Sequence, residues 1–192
     1  MKRVYVIAME CEAAAVRPHL ASGDELIVSG VGKVNAAAAA MYAISVLKAD
    51  EIVNVGLAGG LKASMAAGEI YEVDSAVEYD FDLSLVNGTA PGVKDDRTEA
   101  AIPVETTGLY PHERLATGDS FGDDAGDLHA AGLRDMEGAA IADICDRNGV
   151  AFRSFKMVSD VAGKGPMTEQ YRANREWCLE KLCSACAAIC SK

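Results

Sequence analysis

The sequence is poor in basic residues and has no long apolar segment. Lysine and arginine number 18 against 29 aspartates and glutamates, so the 192-residue chain has a formal net charge of −11. A surface this acidic repels phosphate polymers and anionic lipid, and we therefore expect neither nucleic acid nor a membrane as a partner. The longest apolar segment, residues 36–47, is far shorter than the roughly 20 residues of a membrane-spanning helix. The opening apolar run, residues 4–9, predicts a strand rather than a secretion signal, and we expect a cytoplasmic protein.

The sequence also lacks the residues that would complete a metal site around its cysteines. Four of the six cysteines, Cys178, Cys183, Cys186 and Cys190, lie in a C-terminal segment that is predicted to be helical. A zinc site would need a second cysteine pair or suitably spaced histidines, which do not accompany them. We expect no metal and interpret these cysteines as free, partly buried thiols in a reducing compartment.

What the sequence contains is an alternation of strand and helix patterns. Strands are predicted at residues 4–8, 26–29, 51–55, 69–78, 114–117 and 152–158, and helices at residues 13–20, 33–48, 139–148 and 168–191. Such alternation predicts an α/β fold with a mainly parallel sheet flanked by helices on both faces. The length suits one well-buried domain, so we expect residues 1–192 to form a single three-layer domain.

Two carboxylates occupy positions that this fold should bring together. Glu137 precedes an apolar helix-forming run, and Asp160 follows the strand predicted at residues 152–158. A helix followed by a returning strand places both side chains at the sheet edge where α/β proteins bind ligands. Two acids that face one crevice suit acid/base chemistry on a sugar bond. Each acid alone could instead be a helix cap or a solvated loop residue.

Two glycine segments and a third acid follow other predicted strands. Gly30-Val31-Gly32 could let the backbone approach a ligand, but a plain tight turn explains it equally well, and the third glycine of a dinucleotide site is missing. Gly56-Leu57-Ala58-Gly59-Gly60 is predicted to be a loop with room for a flat ligand, or simply a turn. Glu12 lies near a helix start, where the helix dipole favours an anion.

Six short motifs occur in a specific order between residue 1 and about residue 162. They are Ala8-Met9-Glu10-Cys11-Glu12, Gly30-Val31-Gly32-Lys33-Val34-Asn35-Ala36-Ala37, Gly56-Leu57-Ala58-Gly59-Gly60, Gly118-Asp119-Ser120-Phe121, Met136-Glu137-Gly138-Ala139-Ala140 and Ser159-Asp160-Val161-Ala162. This set resembles the purine nucleoside phosphorylase and hydrolase superfamily, and within it the methylthioadenosine/S-adenosylhomocysteine nucleosidases. The resemblance implies hydrolysis of the N-glycosidic bond of a 5′-modified purine nucleoside, without a cofactor, by a homodimer.

The resemblance also implies roles for individual residues. Glu12 corresponds to the general base that activates water, and Asp160 to the acid that protonates or hydrogen-bonds the purine N7. The substrate-binding residues implied are Met136 and Glu137 at the ribose, Phe121 stacked on the purine, and Ala58, Gly59 and Ser159 in the flanking motifs. Leaving-group protonation and a nearby carboxylate both stabilise an oxocarbenium-like sugar.

Several alternatives remain open at this stage. A phosphorylase would need arginines for phosphate, but the first loop offers Glu10 and Glu12 and no arginine before Arg17, which favours water as the nucleophile. Leu57 stands where the family usually has serine or threonine, and the segment 78–111 is shorter than usual. A hydrolase for another 5′-modified nucleoside such as futalosine is therefore a close rival, and a non-catalytic nucleoside-binding protein is a more distant one.

Overall fold

The structure is a computed structural model that describes residues 1–122 and 128–192. The strands are Arg3–Ile7 (β1), Glu25–Val28 (β2), Glu51–Gly60 (β3), Ile70–Glu78 (β4), Ile102–Pro103 (β5), His112–Thr117 (β6), Leu133–Asp135 (β7) and Ala151–Val161 (β8). The helices are Glu10–Val16 (α1), Lys33–Ser45 (α2), Ser84–Asn87 (α3), Gly138–Asn148 (α4) and Met167–Cys190 (α5), with a 3₁₀ turn at Arg17–His19.

The strands form one mixed, mainly parallel sheet, as the sequence predicted. β1 pairs in parallel with β2 and β3, and β3 pairs in parallel with β8. The sheet then closes on itself, because β8 also pairs with β4, β4 with β6, β6 with β7 and β7 with β3. This ring of five strands was not expected from the sequence. It brings the ends of β3, β7 and β8 close together.

Two pairs of helices cover the sheet and complete the three layers. One apolar core lies under α2 and α4 and includes Ala40, Ile52 and Ile141. The other lies under α1 and α5 and includes Phe155 and Leu182. These side chains are fully buried, and the removal of their apolar surface from water is the main stabilising contribution to the fold.

The predicted ends of two central strands were wrong. β3 continues through Gly56–Gly60, which was predicted to be a loop, and β8 continues through Asp160 to Val161. The two strands pair along their whole length, with one irregularity between Ala58 and Gly59. Glycine usually weakens a strand, but here the paired neighbour supplies the hydrogen bonds and the absent side chains make room for other groups.

Short elements were also missed or misplaced. β7 has only three residues and was not predicted. β5 and α3 lie between residues 78 and 114, where no strand or helix was predicted. α1 begins at Glu10, three residues before the predicted start.

All six cysteines are free thiols. Within residues 1–122 and 128–192, no helix is long and apolar enough to cross a membrane.

Candidate active site

A cavity of about 440 Å³ lies beside the carboxyl-terminal parts of β1, β3, β7 and β8. The structure brings all eight residues of the predicted site to its wall: Glu12, Ala58, Gly59, Phe121, Met136, Glu137, Ser159 and Asp160. They come from five separate segments of the chain. A cavity of this size, with an apolar wall and a few convergent polar groups, suits a small organic ligand.

Glu12 is held in the first turn of α1 and points into the sheet. Its carboxylate accepts hydrogen bonds from the amide of Leu57, at 2.8 Å, and from the amide of Met9, at 3.1 Å. Burial raises the pKa of Glu12, while the amide of Leu57 and the charge of Lys156 act in the opposite direction. A buried carboxylate with a raised pKa is a stronger base than an exposed one.

Glu137 lies just before α4 and is part of the cavity wall. Its Oε1 accepts a hydrogen bond of 2.8 Å from the amide of Gly32, in the turn that precedes α2. Gly32 has φ of +103°, a conformation that side chains rarely adopt, so the turn needs glycine to present this amide. Burial, and then the charge of Asp135, raise the pKa of Glu137 to about 7. The Gly30–Gly32 turn thus orients a cavity carboxylate.

Asp160 is held at the end of β8 beside Gly59. The hydroxyl of Ser159 donates a hydrogen bond of 2.6 Å to Asp160 Oδ1. A Cβ atom at Gly59 would lie only 3.0 Å from Asp160 Oδ2 and 2.7 Å from Met167 Cε. The glycine therefore lets the carboxyl group and the start of α5 approach β3 closely. The same applies to Gly56, where a Cβ atom would lie 2.8 Å from Glu12 Oε1.

A buried lysine that pairs with the cavity residue Asp135 was not predicted from the sequence. Lys156, on β8, is 2 % exposed and forms an ion pair of 2.8 Å with Asp135. Burial would lower the pKa of Lys156, but the charges of Asp135, Glu137 and Glu12 outweigh it and raise the pKa. The available signal was a lysine inside an otherwise apolar strand, because a buried charge requires a partner.

Asp135 is fixed from several directions at the end of β7. Its Oδ1 accepts from the hydroxyl of Thr117 at 2.5 Å, and its Oδ2 accepts from the amide of Gly138 at 2.8 Å. The Thr117 hydroxyl in turn accepts a bond of 2.9 Å from the amide of Ala139. This network joins β6, β7 and the start of α4. It fixes Asp135 beside Lys156, whose charge also interacts with Glu137 and Glu12.

Aromatic rings form the open side of the cavity. Phe121 is 51 % exposed, and its ring contacts that of Tyr171 edge to face, with centroids 5.7 Å apart. Tyr171 also reaches Met9, where its hydroxyl lies 3.9 Å from the sulfur. Nearby, Arg134 donates to the hydroxyl of Tyr79 at 2.6 Å and to the carbonyl of Ser120 at 3.1 Å, which anchors the loop that carries Phe121.

The comparisons with known proteins agree with this geometry. The family model described as the phosphorylase superfamily matches residues 25–192. A 5′-methylthioadenosine/S-adenosylhomocysteine nucleosidase of Bacillus cereus strain G9842 is 32 % identical over 170 residues, which cover 76 % of this chain and 72 % of the relative. A nucleosidase of the same name from Bacillus thuringiensis subsp. konkukian strain 97-27 is 32 % identical over 168 residues, which cover 74 % of this chain and 71 % of the relative.

Solved structures share the whole fold. The methylthioadenosine/S-adenosylhomocysteine nucleosidase of Neisseria meningitidis, solved with methylthio-immucillin-A, matches with a TM-score of 0.86 at 20 % identity, covering 100 % of this chain and 99 % of that chain. The futalosine hydrolase of Helicobacter pylori matches with a TM-score of 0.85 at 19 % identity, covering 96 % and 94 %.

The fold and the family model place the protein in one class. The chain belongs to the phosphorylase superfamily. Within that superfamily, its curated relatives at about one-third identity carry the name of nucleosidases.

Proposed function

We propose that this protein is a nucleosidase that hydrolyses the N-glycosidic bond of a 5′-modified purine nucleoside, such as methylthioadenosine or S-adenosylhomocysteine. The observation that carries the proposal is the convergence of Glu12, Glu137 and Asp160 on one cavity beside the aromatic ring of Phe121. The names of the Bacillus relatives agree with it. The cavity volume of about 440 Å³ is suitable for a nucleoside.

Glu12 is assigned as the general base. Glu12 is 3 % exposed and two backbone amides fix its carboxylate, so the group is held in one position from which it can accept a proton from a water molecule at the sugar. The pKa raised by burial brings this carboxylate closer to neutral pH, where general bases work best. The nearby charge of Lys156 stabilises the ionised form.

Glu137 and Met136 are assigned to the ribose. A carboxylate accepts hydrogen bonds from two neighbouring sugar hydroxyls, and Glu137 is already oriented by the Gly32 amide. Met136 supplies an apolar contact beside it. Negative charge next to the ribose also stabilises the positive charge that develops on the sugar as the bond breaks.

Asp160 is assigned as the acid that serves the departing purine. It shares the cavity wall with Phe121, which offers a ring for stacking on the base. Ser159 orients the Asp160 carboxyl, and the small residues Ala58 and Gly59 leave space for a flat ring. Protonation of the leaving base lowers the barrier to bond cleavage.

Hydrolysis is favoured over phosphorolysis by the charges at the nucleophile end. Arg17, the first arginine after β1, forms an ion pair with Glu10 and is not part of the cavity wall. Lys156 is paired with Asp135 and faces two further acids. A phosphate dianion that entered beside Glu12 would therefore meet the charges of Glu12, Glu137 and Asp135, because the cavity arginines Arg172 and Arg175 lie on α5 and not in the first loop.

A panel of purine nucleosides, incubated with and without phosphate, tests this proposal. Chromatography should detect free purine and the free 5′-modified ribose at the same rate in both conditions. Formation of a ribose 1-phosphate that requires added phosphate would assign the protein as a phosphorylase instead.

A second candidate is hydrolysis of another 5′-modified nucleoside, for example futalosine. Leu57 lies in the cavity wall, and its side chain has no hydrogen-bonding group. The family resemblance implies a serine or threonine hydroxyl at this position. The fold is equally close to that of a futalosine hydrolase. Including futalosine in the same panel separates the two candidates by the ratio of their kcat/KM values.

We further propose that residues 1–192 fold as a single domain, that the protein acts in the cytoplasm, and that it forms a homodimer. The two helical layers share one closed sheet, which supports the first point. The six free thiols suit a reducing compartment. Exposed apolar side chains on α2 and α3, among them Val34, Tyr42, Leu85 and Val86, offer a surface that a second copy could bury.

A further inference from the structure

Two arginines on α5 line the open side of the cavity. Arg172 and Arg175 lie on the same helix face as Thr168 and Tyr171, because these four residues follow the spacing of successive helical turns. All four belong to the cavity wall. Both arginines are also exposed to solvent, so a ligand that enters the cavity passes beside them.

These arginines have no acidic partner among the residues that the structure describes. Elsewhere in this acidic molecule the arginines of the surface are paired, for example Arg17 with Glu10, Arg97 with Asp143 and Arg147 with Asp96. Arg175 lies beside Tyr171 in the cavity wall. Its charge opposes the rise in the pKa of the Tyr171 hydroxyl that burial causes. The pair is therefore a local patch of uncompensated positive charge.

The patch lies away from the purine end of the cavity. α5 begins at Met167. The methyl group of Met167 and the carboxyl group of Asp160 both lie close to Gly59, so the start of α5 is at the purine end. From Met167 to Arg175 the helix advances about 12 Å at 1.5 Å per residue. Tyr171, halfway along, reaches over to Met9 at the α1 side. A nucleoside whose base lies at Asp160 would thus extend its sugar and 5′ group towards the arginines.

We propose that Arg172 and Arg175 bind a carboxylate carried by the 5′ substituent and so determine specificity for acidic 5′-modified nucleosides. This inference rests on the proposed function. A guanidinium group binds a carboxylate through paired hydrogen bonds in a matching plane. A molecule with a net charge of −11 repels an anionic substrate at long range, and local positive charge at the cavity would offset that repulsion.

A matched pair of substrates isolates the effect of this charge. One is 5′-deoxy-5′-(2-carboxyethylthio)adenosine, and the other is its carboxamide, which has nearly the same size and no charge. We expect kcat/KM for the acid to exceed that for the amide by about tenfold, as for one charge-assisted hydrogen bond. Methylthioadenosine serves as a neutral reference.

Three variants assign the effect to the arginines. Arg172→Gln, Arg175→Gln and the double variant should raise KM for the acid by about tenfold more than they raise KM for the amide or for methylthioadenosine. Lys181→Gln is the matched control, because Lys181 is an exposed cation on the same helix that lies over Trp177 and does not line the cavity. It should leave the preference for the acid intact.

Two kinetic results would overturn the inference and leave the nucleosidase assignment unchanged. One is an equal kcat/KM for the acid and the amide, and the other is an equal loss of kcat/KM for all three nucleosides in the arginine variants.

Calorimetry of both ligands with wild-type and Glu12→Gln protein separates the two proposals. Tighter binding of the acid without any hydrolysis would contradict the assigned activity and support the arginine site. Phosphate-dependent turnover whose KM for phosphate rises in the arginine variants would assign these residues to a phosphate nucleophile and refute the carboxylate site.

Discussion

The Asp160 carboxyl group is 1 % exposed and hydrogen-bonded to the Ser159 hydroxyl, so an amide of the same shape fits its place. We expect Asp160→Asn to reduce kcat by at least about 10²-fold, the lower range for a general acid. The variant keeps the packing but cannot deliver a proton to the leaving purine. Steady-state kinetics on methylthioadenosine measure the effect, with Asp82→Asn at an exposed position as the control. Near-normal turnover would mean that the base departs without this acid.

The titration of Glu137 predicts opposite pH dependences for activity and stability. Its pKa rises from the ordinary 4.5 to about 7 because of burial and the charge of Asp135. The ribose site needs the carboxylate, so kcat/KM should rise as the pH increases through about 7. The folded state binds this proton more tightly than the unfolded state does, so the contribution of Glu137 to the free energy of unfolding falls as the pH rises from 4.5 to about 7.

A pH–rate profile between pH 5 and 9 checks this assignment. The Glu137→Gln variant has nothing to titrate at that position, and its kcat/KM should be low and lack the step near pH 7. Glu12 also has a raised pKa and faces the same Lys156. A step that persists unchanged in Glu137→Gln would therefore belong to Glu12 or to another group.

We predict that Leu57 acts at the sugar or nucleophile end of the cavity and leaves the purine end unchanged. Its backbone amide holds Glu12, while its side chain lines the cavity. A hydroxyl at this position would add one hydrogen bond, which contributes about 0.5–1.5 kcal/mol net. Leu57→Ser should then change kcat or the preference for the 5′ group by roughly tenfold and leave the preference for adenine unchanged. Competition assays with adenosine and inosine analogues test it, and an altered base preference would show that Leu57 acts at the purine.

At the scale of elements, β3 is the strand that the site depends on most. Gly56 allows Glu12 to approach the strand, since a Cβ atom there would lie 2.8 Å from its Oε1. Gly60 lies four residues further along the same strand. A Cβ atom added there would lie 3.2 Å from Met65 Sδ and from Val158 Cγ1, and small shifts of these side chains can relieve both contacts. We expect Gly56→Ala to lower kcat by about tenfold or more by displacing the general base.

Gly60→Ala is the matched control in the same strand. It should cost stability without a comparable loss of kcat. Thermal unfolding of both variants, measured beside their kinetics, distinguishes displacement of Glu12 from general destabilisation. If Gly56→Ala and Gly60→Ala lost kcat in equal proportion, the close approach of Glu12 to β3 would not be what limits turnover.

At the scale of the whole molecule, the proposed homodimer is directly measurable. α3 exposes Leu85 fully and Val86 almost fully, within the segment that the family resemblance associates with the subunit interface. Sedimentation velocity at micromolar concentration should detect a species of twice 20.1 kDa. Leu85→Glu should shift the population towards the monomer, because it places a charge in the buried surface, whereas Trp177→Glu on α5 should not. A protein that sediments only at 20.1 kDa would refute the dimer.

The sequence by itself determined the order of the main strands and helices and eight of the residues in the cavity wall. Local patterns predict the strand at residues 152–158 and the helix at residues 139–148. Both elements are present in the structure, with small changes at their ends. The short motifs around Glu12, Glu137 and Asp160 also follow directly from the chain, and all three acids lie in the cavity wall. Their catalytic roles remain predictions for the experiments above.

Only the tertiary structure decided how these segments meet. A glycine run such as Gly56–Gly60 predicts a loop when read alone, and it becomes a strand because β8 pairs with it along its whole length. The Gly32 amide reaches Glu137 across 105 positions of sequence, and Lys156 meets Asp135 only because the sheet closes into a ring. A local pattern carries no information about such distant partners. Burial in the folded chain also raises the pKa of Glu12 and of Glu137, because it removes the water that would otherwise solvate their charges.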